Sequence, residues 1–346
     1  MGAWLDTIDR EIRWWFARAG WLAPTPLDTV FLGGGTPSLL GRSGLTELGQ
    51  RLQRWFVISP DETEWTAEAN PASFDAELGT AWLEAGVNRL SLGVQALDDD
   101  VLKWLGRLHD RATARSVVAA ARESGFERLN IDVIFGLPEE VKRDFCRELD
   151  EVLALEVPHV SLYGLSVEPR TPLAQWIRTG RIDSPSEERY SMEYRLLATR
   201  LREAGYDHYE VSNFAKPGQQ CRHNWFYWNR SPYLGVGPSA HGFLPPYRTW
   251  NVFRWDRYER ALRGGGGPVE GWETVGEEER LLEQIWLGLR TIEGLPGSDP
   301  EHRGWSQRID RWVREGWLEQ RNDRWVATVE GWLRMDSMVT ELAGER

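Results

Sequence analysis

The fold of this chain is decided by a strand-like segment, RLSLGVQ at residues 89–95, in which polar and apolar side chains alternate. Successive side chains of a strand point to opposite faces, so the leucines and the valine share one face, and Arg89, Ser91 and Gln95 share the other. A flat parallel sheet with helices on both faces would instead contain nearly continuous apolar strands. The polar face therefore predicts a curved sheet, with helices outside it and a ligand-holding lumen inside.

The same alternation occurs in two further segments, one on each side of the first along the chain. The polar faces carry Thr66, Glu68 and Asn70 in WTAEAN at residues 65–70, and Asn130 and Asp132 in LNIDV at residues 129–133. Helical patterns separate the strands, including a helix predicted over 99–124, and this order indicates parallel βαβ units. We expect an open or closed α/β barrel and not a doubly wound sheet.

Composition limits the classes of function. With 346 residues, of which 41% are hydrophobic and 27% charged, the chain is typical of a soluble globular protein with more than one domain. Its formal net charge of −12 argues against a general nucleic-acid binder, because phosphate neutralisation needs clustered Lys and Arg. No apolar run has the length of a transmembrane segment, and Cys146 and Cys221 do not form a disulfide framework. We therefore expect a cytoplasmic protein.

Changes in composition along the chain predict three regions. They are a barrel at 1–205, an aromatic-rich extension at 206–268 and a C-terminal helical domain at 269–346. A glycine run at Gly264–Gly267 indicates a linker. In the last region, helical patterns precede a hairpin that turns at Asn322-Asp323, which predicts a small winged-helix-like domain. Because the protein is acidic, a lid or partner-docking role is favoured over DNA binding for this domain.

Three polar residues, Glu68, Gln95 and Asp132, lie near the carboxyl ends of their predicted strands. Ligand-binding and catalytic groups of α/β barrels concentrate at that end. A glycine loop, Gly33–Ser38, follows another short strand, and its backbone groups can hold a polar ligand. A plain tight turn at the loop and a structural polar network inside the barrel are the alternatives.

A longer series of motifs occurs in order from residue 33 to residue 241, and LGLRT at residues 287–291 continues it. It comprises GGGTPSLL (33–40), EANP (68–71), NRLSLGVQ (88–95), LGRLH (105–109), NIDVIFGLP (130–138), SLYGLSVEPRTPL (161–173), YEVSNFAKPG (209–218), CRHNWFYW (221–228) and YLGVGPSAH (233–241). Together these motifs resemble the oxygen-independent coproporphyrinogen III oxidase family of radical S-adenosylmethionine (SAM) enzymes, and more closely its haem-chaperone branch. The resemblance implies a partial (β/α)6 radical SAM barrel lacking its first strand, with a small C-terminal winged-helix-like α+β domain.

The resemblance also implies a SAM site. Its residues would be Gly34, Gly35 and Thr36 at the methionine end of SAM, Glu68 at the nucleoside, and Gln95, Arg107 and Asp132 as further contacts. Three of them, Glu68, Gln95 and Asp132, are the residues that the strand pattern singles out without the resemblance. Arg107 has an alternative interpretation as a surface helix residue.

The segment most similar to the haem-chaperone branch is His223-Asn224-x-x-Tyr227-Trp228. Imidazole is a common axial ligand of haem iron, and aromatic side chains can cover the macrocycle, so His223 is the candidate iron ligand and its three neighbours are candidate haem contacts. The alternative is that His223 and Asn224 hydrogen-bond an irregular loop. Cys221 is interpreted as a thiolate ligand or, in preference, as a small buried residue. His109 and His241 are secondary candidates.

The chain departs from the family pattern in its cysteines. Members carry a C-x3-C-x2-C loop whose thiolates hold a 4Fe–4S cluster, and neither Cys146 nor Cys221 can replace that triplet. Either the sequence starts late, at an internal Met1, or the protein is genuinely shortened; the late start is favoured because the other SAM motifs remain. As written, these residues are predicted not to cleave SAM.

The resemblance therefore implies a haem-chaperone-like protein that binds haem and transfers it to an unidentified acceptor protein. Its cofactors would be SAM and, in the family, the 4Fe–4S cluster. The first alternative is a coproporphyrinogen III oxidase that performs radical oxidative decarboxylation. The second is a degenerate, non-catalytic binding protein.

Overall fold

The computed structural model describes residues 1–298 and 304–343. In its first part, helices and strands alternate along the chain. The elements are α1 (Gly2–Ala19), β1 (Thr25–Pro26), β2 (Thr29–Leu32), α2 (Gly41–Leu52), β3 (Phe56–Val57), β4 (Glu64–Ala69), α3 (Ala76–Glu84), β5 (Arg89–Gln95), α4 (Asp99–Trp104), α5 (Arg111–Glu123), β6 (Arg128–Phe135), α6 (Phe145–Ala154), β7 (His159–Gly164), α7 (Pro172–Arg178), α8 (Glu187–Glu203), β8 (Asp207–Glu210) and β9 (Asn213–Ala215).

The main sheet contains seven strands of the described chain, in the order β2-β4-β5-β6-β7-β9-β8. Neighbours from β2 to β7 run parallel, whereas β9 is antiparallel to both β7 and β8. The sheet curls into a half-barrel, which confirms the predicted α/β fold. Strand β2 forms one edge, so it pairs with a described strand on one side only.

The outer face of the sheet forms the main core with the surrounding helices. Leu90 and Ile131 on the strands and Trp82 and Leu197 on the helices are almost completely buried. Burying one such side chain contributes about 1.5–3 kcal/mol. These apolar positions alternate with the polar positions along each strand. Packing of the apolar side chains against the helices therefore leaves the polar side chains facing the lumen.

The prediction of a single helix over 99–124 is wrong, because the structure has two helices there, α4 and α5. The chain leaves the helical conformation at Gly106, which has a φ of 69°, and α5 begins after Asp110, whose carboxylate accepts a hydrogen bond from the backbone N–H of Thr113 at 2.8 Å. Glycine tolerates the left-handed conformation, and aspartate is a preferred N-cap. Arg107 and His109 therefore lie in a loop near the barrel lumen and not on a continuous helix.

The rest of the chain forms two smaller sheets with flanking helices. The elements are α9 (Arg222–Trp228), β10 (His241–Leu244), β11 (Tyr247–Asn251), α10 (Trp255–Arg263), β12 (Val269–Thr274), α11 (Glu277–Gly288), β13 (Leu295–Pro296), α12 (Ser306–Arg314), β14 (Leu318–Arg321), β15 (Arg324–Ala327), α13 (Val329–Trp332) and α14 (Met335–Ala343). Strands β10, β11 and β12 form one antiparallel sheet, and β13, β15 and β14 form another. The predicted hairpin is confirmed, since β14 and β15 pair across Asn322 and Asp323.

The proposed division into three regions stays a prediction, and strand pairing crosses both of its boundaries. Strands β8 and β9 extend the main sheet beyond residue 205, and β12 pairs with β11 across residue 268. The glycine run connects α10 to β12, and Gly267 is so close to Trp14 that a Cβ there would lie 2.3 Å from the indole ring.

A buried carboxyl group connects α1 to the extension. Glu11 is completely buried and accepts hydrogen bonds from the Asn251 side chain at 2.6 Å, from the backbone N–H of Gly237 at 2.8 Å and from the Tyr258 hydroxyl. Burial raises the pKa of Glu11 to about 7. The contacts hold the segment around residues 233–241 beside the edge of the main sheet. Within the described residues, no helix is both long and apolar enough to cross a bilayer.

Candidate functional site

The glycine loop after β2 closes onto Glu68 at the carboxyl end of β4. The backbone N–H of Gly34 donates a hydrogen bond to the Glu68 carboxylate, and Gly34 has a left-handed φ of 78°. A Cβ at Gly33 would lie 2.8 Å from the Glu68 carboxylate and 2.6 Å from the Phe31 ring, so a larger residue would require one of these side chains to shift. The loop thus presents exposed backbone groups next to a carboxylate whose pKa is raised by burial.

Asp132 lies on the lumen face of β6, close to Glu68 and Arg107. It accepts hydrogen bonds from Asn130 Nδ2 at 2.9 Å and from Ser91 Oγ at 3.4 Å. Burial, together with the nearby Glu68 charge, raises the pKa of Asp132 to about 7. Burial lowers the pKa of Arg107, and the Asp132 charge opposes that change. The structure therefore brings these three predicted SAM residues together.

Gln95 ends β5 in a conformation that is unusual for its residue type. Its φ is 68°, in the left-handed region that side chains other than glycine rarely adopt. The preceding carbonyl of Val94 accepts a hydrogen bond from Ala96 N at 2.8 Å and is 3.0 Å from His109 Nε2. Such conformations persist only where the surroundings fix them, and they cluster at functional sites. His109 therefore contacts the β5 backbone, away from the lining of the His223 cavity described below.

His223 lies in a helix, α9, which packs against β2. Its ring stacks on Phe31 with centroids 5.0 Å apart and planes at 22°. The Nδ1 atom is 2.8 Å from Thr29 Oγ1, and Nε2 is 2.9 Å from the Tyr227 hydroxyl. Both ring nitrogens are thus hydrogen-bonded, Nδ1 to strand β2 and Nε2 within α9. The segment is a helix and not the irregular loop of the alternative interpretation.

The His223 imidazole is mainly neutral near pH 7. Burial lowers its pKa to about 4, although the nearby Glu64 carboxylate acts in the opposite direction. A neutral imidazole carries one N–H group and one nitrogen lone pair, so it is able to coordinate a metal.

A mainly apolar cavity of about 570 Å³ adjoins the His223 ring. Its lining includes Phe31, His223, Tyr227 and His241, together with Gly33 and Gly34 of the glycine loop. The two candidate sites therefore share the glycine loop as a common wall. Asn224 and Trp228 do not line this cavity, and the buried Trp228 indole N–H has no hydrogen-bond partner.

The sequence interpretation missed a chain of hydrogen bonds inside the lumen. Asn130 Oδ1 is 2.7 Å from His159 Nδ1, His159 Nε2 is 2.8 Å from the Tyr209 hydroxyl, and that hydroxyl accepts a hydrogen bond from Cys221 N at 3.3 Å. The network thereby connects the Asp132 neighbourhood to the start of α9. The alternation along the strands is the signal that could have found His159, which lies on the polar face of β7.

A second missed feature is a buried ion pair at the opposite ends of the strands. Glu64 begins β4 and Arg89 begins β5, and their carboxylate and guanidinium are 3.0 Å apart. Both residues follow the polar alternation, since Glu64 precedes Thr66 and Glu68 at intervals of two. The predicted site residues lie at the carboxyl ends of the strands and therefore do not include this pair.

The cysteines present do not fit a 4Fe–4S cluster. Cys146 is exposed in α6, whereas Cys221 is buried at the start of α9 with its thiol 3.5 Å from Glu64 Oε1. Burial raises the pKa of the Cys221 thiol to about 12, so it remains protonated, as expected for a small buried residue. Across residues 1–298 and 304–343, no three His, Cys, Asp or Glu side chains converge as metal ligands.

Comparison with known proteins gives consistent matches over most of the chain. The Radical SAM superfamily model matches residues 9–152. The protein called heme chaperone HemW in Mycobacterium tuberculosis H37Rv is 37% identical over 99% of this chain and 86% of that protein. The Bacillus subtilis protein of the same name is 35% identical over 84% of this chain and 76% of that protein.

A solved structure matches the whole fold. Coproporphyrinogen III oxidase (HemN) of Escherichia coli, described as a radical SAM enzyme, superposes with a TM-score of 0.80 over 98% of this chain and 82% of that chain. At 20% identity the match establishes the fold alone.

Proposed function

The chain belongs to the HemW family of radical SAM proteins, and we propose that it is a haem chaperone that binds haem beside His223 and delivers it to an acceptor protein. The observation that carries the proposal is a neutral imidazole held against an aromatic ring at the wall of an apolar cavity. Haem requires both an axial ligand and apolar surfaces for its macrocycle.

Hydrogen bonding around His223 suits iron coordination. A coordinating histidine usually donates its other ring N–H to a fixed partner, which sets the tautomer and the ring orientation. Thr29 Oγ1 is such a partner for Nδ1, and this tautomer leaves the Nε2 lone pair facing the Tyr227 hydroxyl. Since Tyr227 is partly exposed, its hydroxyl can move aside when iron binds Nε2.

The cavity has a suitable size and character for a flat apolar ligand. Its volume of about 570 Å³ lies within the range of small-molecule sites, about 300–1,000 Å³. Tyr227 and Tyr233 contact edge to face, with centroids 4.7 Å apart, and extend the aromatic wall from His223. Asn224 and Trp228 stay proposed haem contacts that would need local rearrangement of α9 to reach the cavity.

Haem titration of the purified chain tests this proposal. We expect a Soret band of histidine-ligated haem that is lost or shifted in His223→Ala. His241→Ala is the matched control, because His241 lines the same cavity and is not the proposed ligand. This variant should keep the wild-type Soret band. A wild-type chain without a Soret shift would exclude the haem site, and an unchanged His223→Ala spectrum would exclude His223 as the ligand.

SAM is the second ligand that we propose, and the residues present fit it. Gly34, Gly35 and Thr36 would hold its methionine end, Glu68 its nucleoside, and Gln95, Arg107 and Asp132 its remaining polar groups. Support comes from the close approach of Gly33 to Glu68 and from the proximity of Asp132 to Glu68 and Arg107. Because the described residues supply no fitting ligand set for the cluster, SAM is proposed here as a bound ligand only.

A further inference from the structure

The buried pair Glu64–Arg89 makes its other contacts almost entirely with the segment that leads into α9. Glu64 and Arg89 side chains are 1% and 2% exposed. Glu64 Oε1 accepts a hydrogen bond from His223 N at 3.1 Å, and Arg89 Nη2 donates to the carbonyl oxygens of Gln219 and Gln220, both at 3.0 Å. One ion pair of the barrel thus holds both sides of the chain where α9 begins.

We infer that Glu64 and Arg89 are the positioning residues of the His223 imidazole, Glu64 by capping the first turn of α9 and Arg89 by anchoring the segment before it. This inference rests on the proposed haem site at His223. Neither side chain lines the cavity, so both act through the backbone that carries His223.

Helix α9 needs such support because it is weak by itself. It has seven residues, none of them buried, and its N-cap residue Cys221 makes no side-chain capping hydrogen bond. Isolated helices shorter than about 12–15 residues are marginal in water. The first N–H groups of a helix lack partners inside it, and a negative charge near them is favourable. The Glu64 carboxylate supplies both the missing acceptor and the charge.

The energetic cost of the pair supports a positioning role over simple stabilisation. A buried ion pair is often no more stabilising than apolar residues of similar volume, because both charges lose their hydration. Here both charged groups form hydrogen bonds with backbone groups of residues 219–223, and apolar side chains could not form these bonds. Arg89 Nη1 is buried without a partner, so the guanidinium depends on Glu64 for its compensating charge.

A second buried ion pair offers a closely matched control. Arg189 and Glu193 are 2.8 Å apart and almost fully buried. Glu193 Oε2 accepts a hydrogen bond from Gly136 N at 2.7 Å, and Arg189 Nη1 donates to the carbonyl oxygens of Pro138 and Val141. The two pairs have the same chemistry and similar backbone partners, but only Glu64–Arg89 contacts the segment that carries His223.

The test compares haem binding by Glu64→Gln and Glu193→Gln with that of the wild type and His223→Ala, alongside thermal unfolding of each protein. We expect Glu64→Gln to raise the haem Kd by about tenfold or more and to shift the Soret band towards that of His223→Ala. Glu193→Gln should lose a similar amount of thermal stability but keep the wild-type Kd and spectrum. Glu64→Asp keeps the negative charge on a shorter side chain. It should give the same spectral shift as Glu64→Gln in a protein that is more stable than Glu64→Gln.

The outcomes separate this inference from the proposed function. If the wild type forms no haem complex, both are overturned. If His223→Ala loses the histidine-ligated spectrum while Glu64→Gln and Glu64→Asp keep the wild-type spectrum and Kd, only the positioning role is overturned. An equal loss of haem affinity in Glu193→Gln would also overturn it, because the effect would then follow from general destabilisation.

Discussion

The imidazole of His223 stacks on the phenyl ring of Phe31, with centroids 5.0 Å apart and ring planes at 22°. This contact joins α9 to β2, two elements far apart in sequence, and it lies beside the glycine loop that begins after β2. Because Phe31 is 37% exposed, its ring can contact both His223 and a ligand in the cavity. The relationship places the proposed haem ligand next to the proposed SAM loop.

Replacing Phe31 should weaken haem binding. Phe31→Ala removes the ring that orients His223, and aromatic contacts of this kind contribute about 0.5–1.5 kcal/mol, so we expect the haem Kd to rise about 2- to 10-fold. Haem titration measures the change. Phe253→Ala is the control, because Phe253 is 75% exposed and does not line the cavity. Equal affinities of Phe31→Ala and the wild type would contradict the prediction.

Protonation of His223 should make stability depend on pH in mildly acidic solution. Its pKa is lowered from the ordinary 6.5 to about 4 in the folded protein, so between these values the unfolded chain binds the extra proton. Its contribution to stability is therefore full above pH 6.5 and is lost as the pH falls towards 4. Urea unfolding at pH 7 and pH 5 should show a smaller decrease for His223→Gln than for the wild type. Identical decreases would show that the folded histidine titrates normally.

Asp132 should have the opposite dependence on pH. Its pKa is raised from 3.8 to about 7, so the folded protein retains a proton that the unfolded chain has released in this range. Stability from this group is present below pH 3.8 and is lost as the pH rises through 7. At pH 8, the free energy of unfolding of Asp132→Asn should exceed that of the wild type by on the order of 1–3 kcal/mol, and urea unfolding measures the difference. At pH 4 the two free energies should be nearly equal. Glu11 and Glu210, whose pKa values are also raised to about 7, are unchanged in the variant, so the difference isolates Asp132.

The same substitution should weaken SAM binding, because it removes the negative charge beside Arg107 while keeping the side-chain shape. Calorimetric titration of SAM at pH 8 measures this effect. A more stable Asp132→Asn protein with unchanged SAM affinity would assign Asp132 to the structural network alone.

Two neighbouring glycines should respond differently to alanine. A Cβ at Gly33 would lie 2.6 Å from Phe31 Cε1 and 2.8 Å from the Glu68 carboxylate, whereas a Cβ at Gly35 meets nothing within 4 Å. Gly33→Ala should therefore cost about 1–3 kcal/mol of unfolding free energy and weaken SAM binding, because the loop, the Phe31 ring or the Glu68 carboxylate must shift. Gly35→Ala should leave stability nearly unchanged. Equal stability and SAM binding of the two variants would contradict the close approach.

The strand pattern predicted more of the barrel than of the cavity beside His223. Alternation along β4, β5 and β6 predicted the curved sheet and the lumen positions of Glu68 and Asp132, because side-chain direction in a strand has a fixed period. The helix over 99–124 was predicted wrongly, since the apolar periodicity of α4 and α5 hid the stop at Gly106 and the start at Asp110. His223 was recognised through the motif, but its helix and its contact with Phe31 were not.

The amino-acid sequence alone indicates which faces of the strands are polar, which loop is rich in glycine, and which family the motifs resemble. The tertiary structure adds three features: α9 packs on β2, Glu64 and Arg89 pair and contact the start of α9, and the two candidate sites share the glycine loop. Periodicity specifies the direction in which a side chain points. The residue that it contacts across the barrel can be far away in sequence, and local periodicity does not specify such long-range contacts.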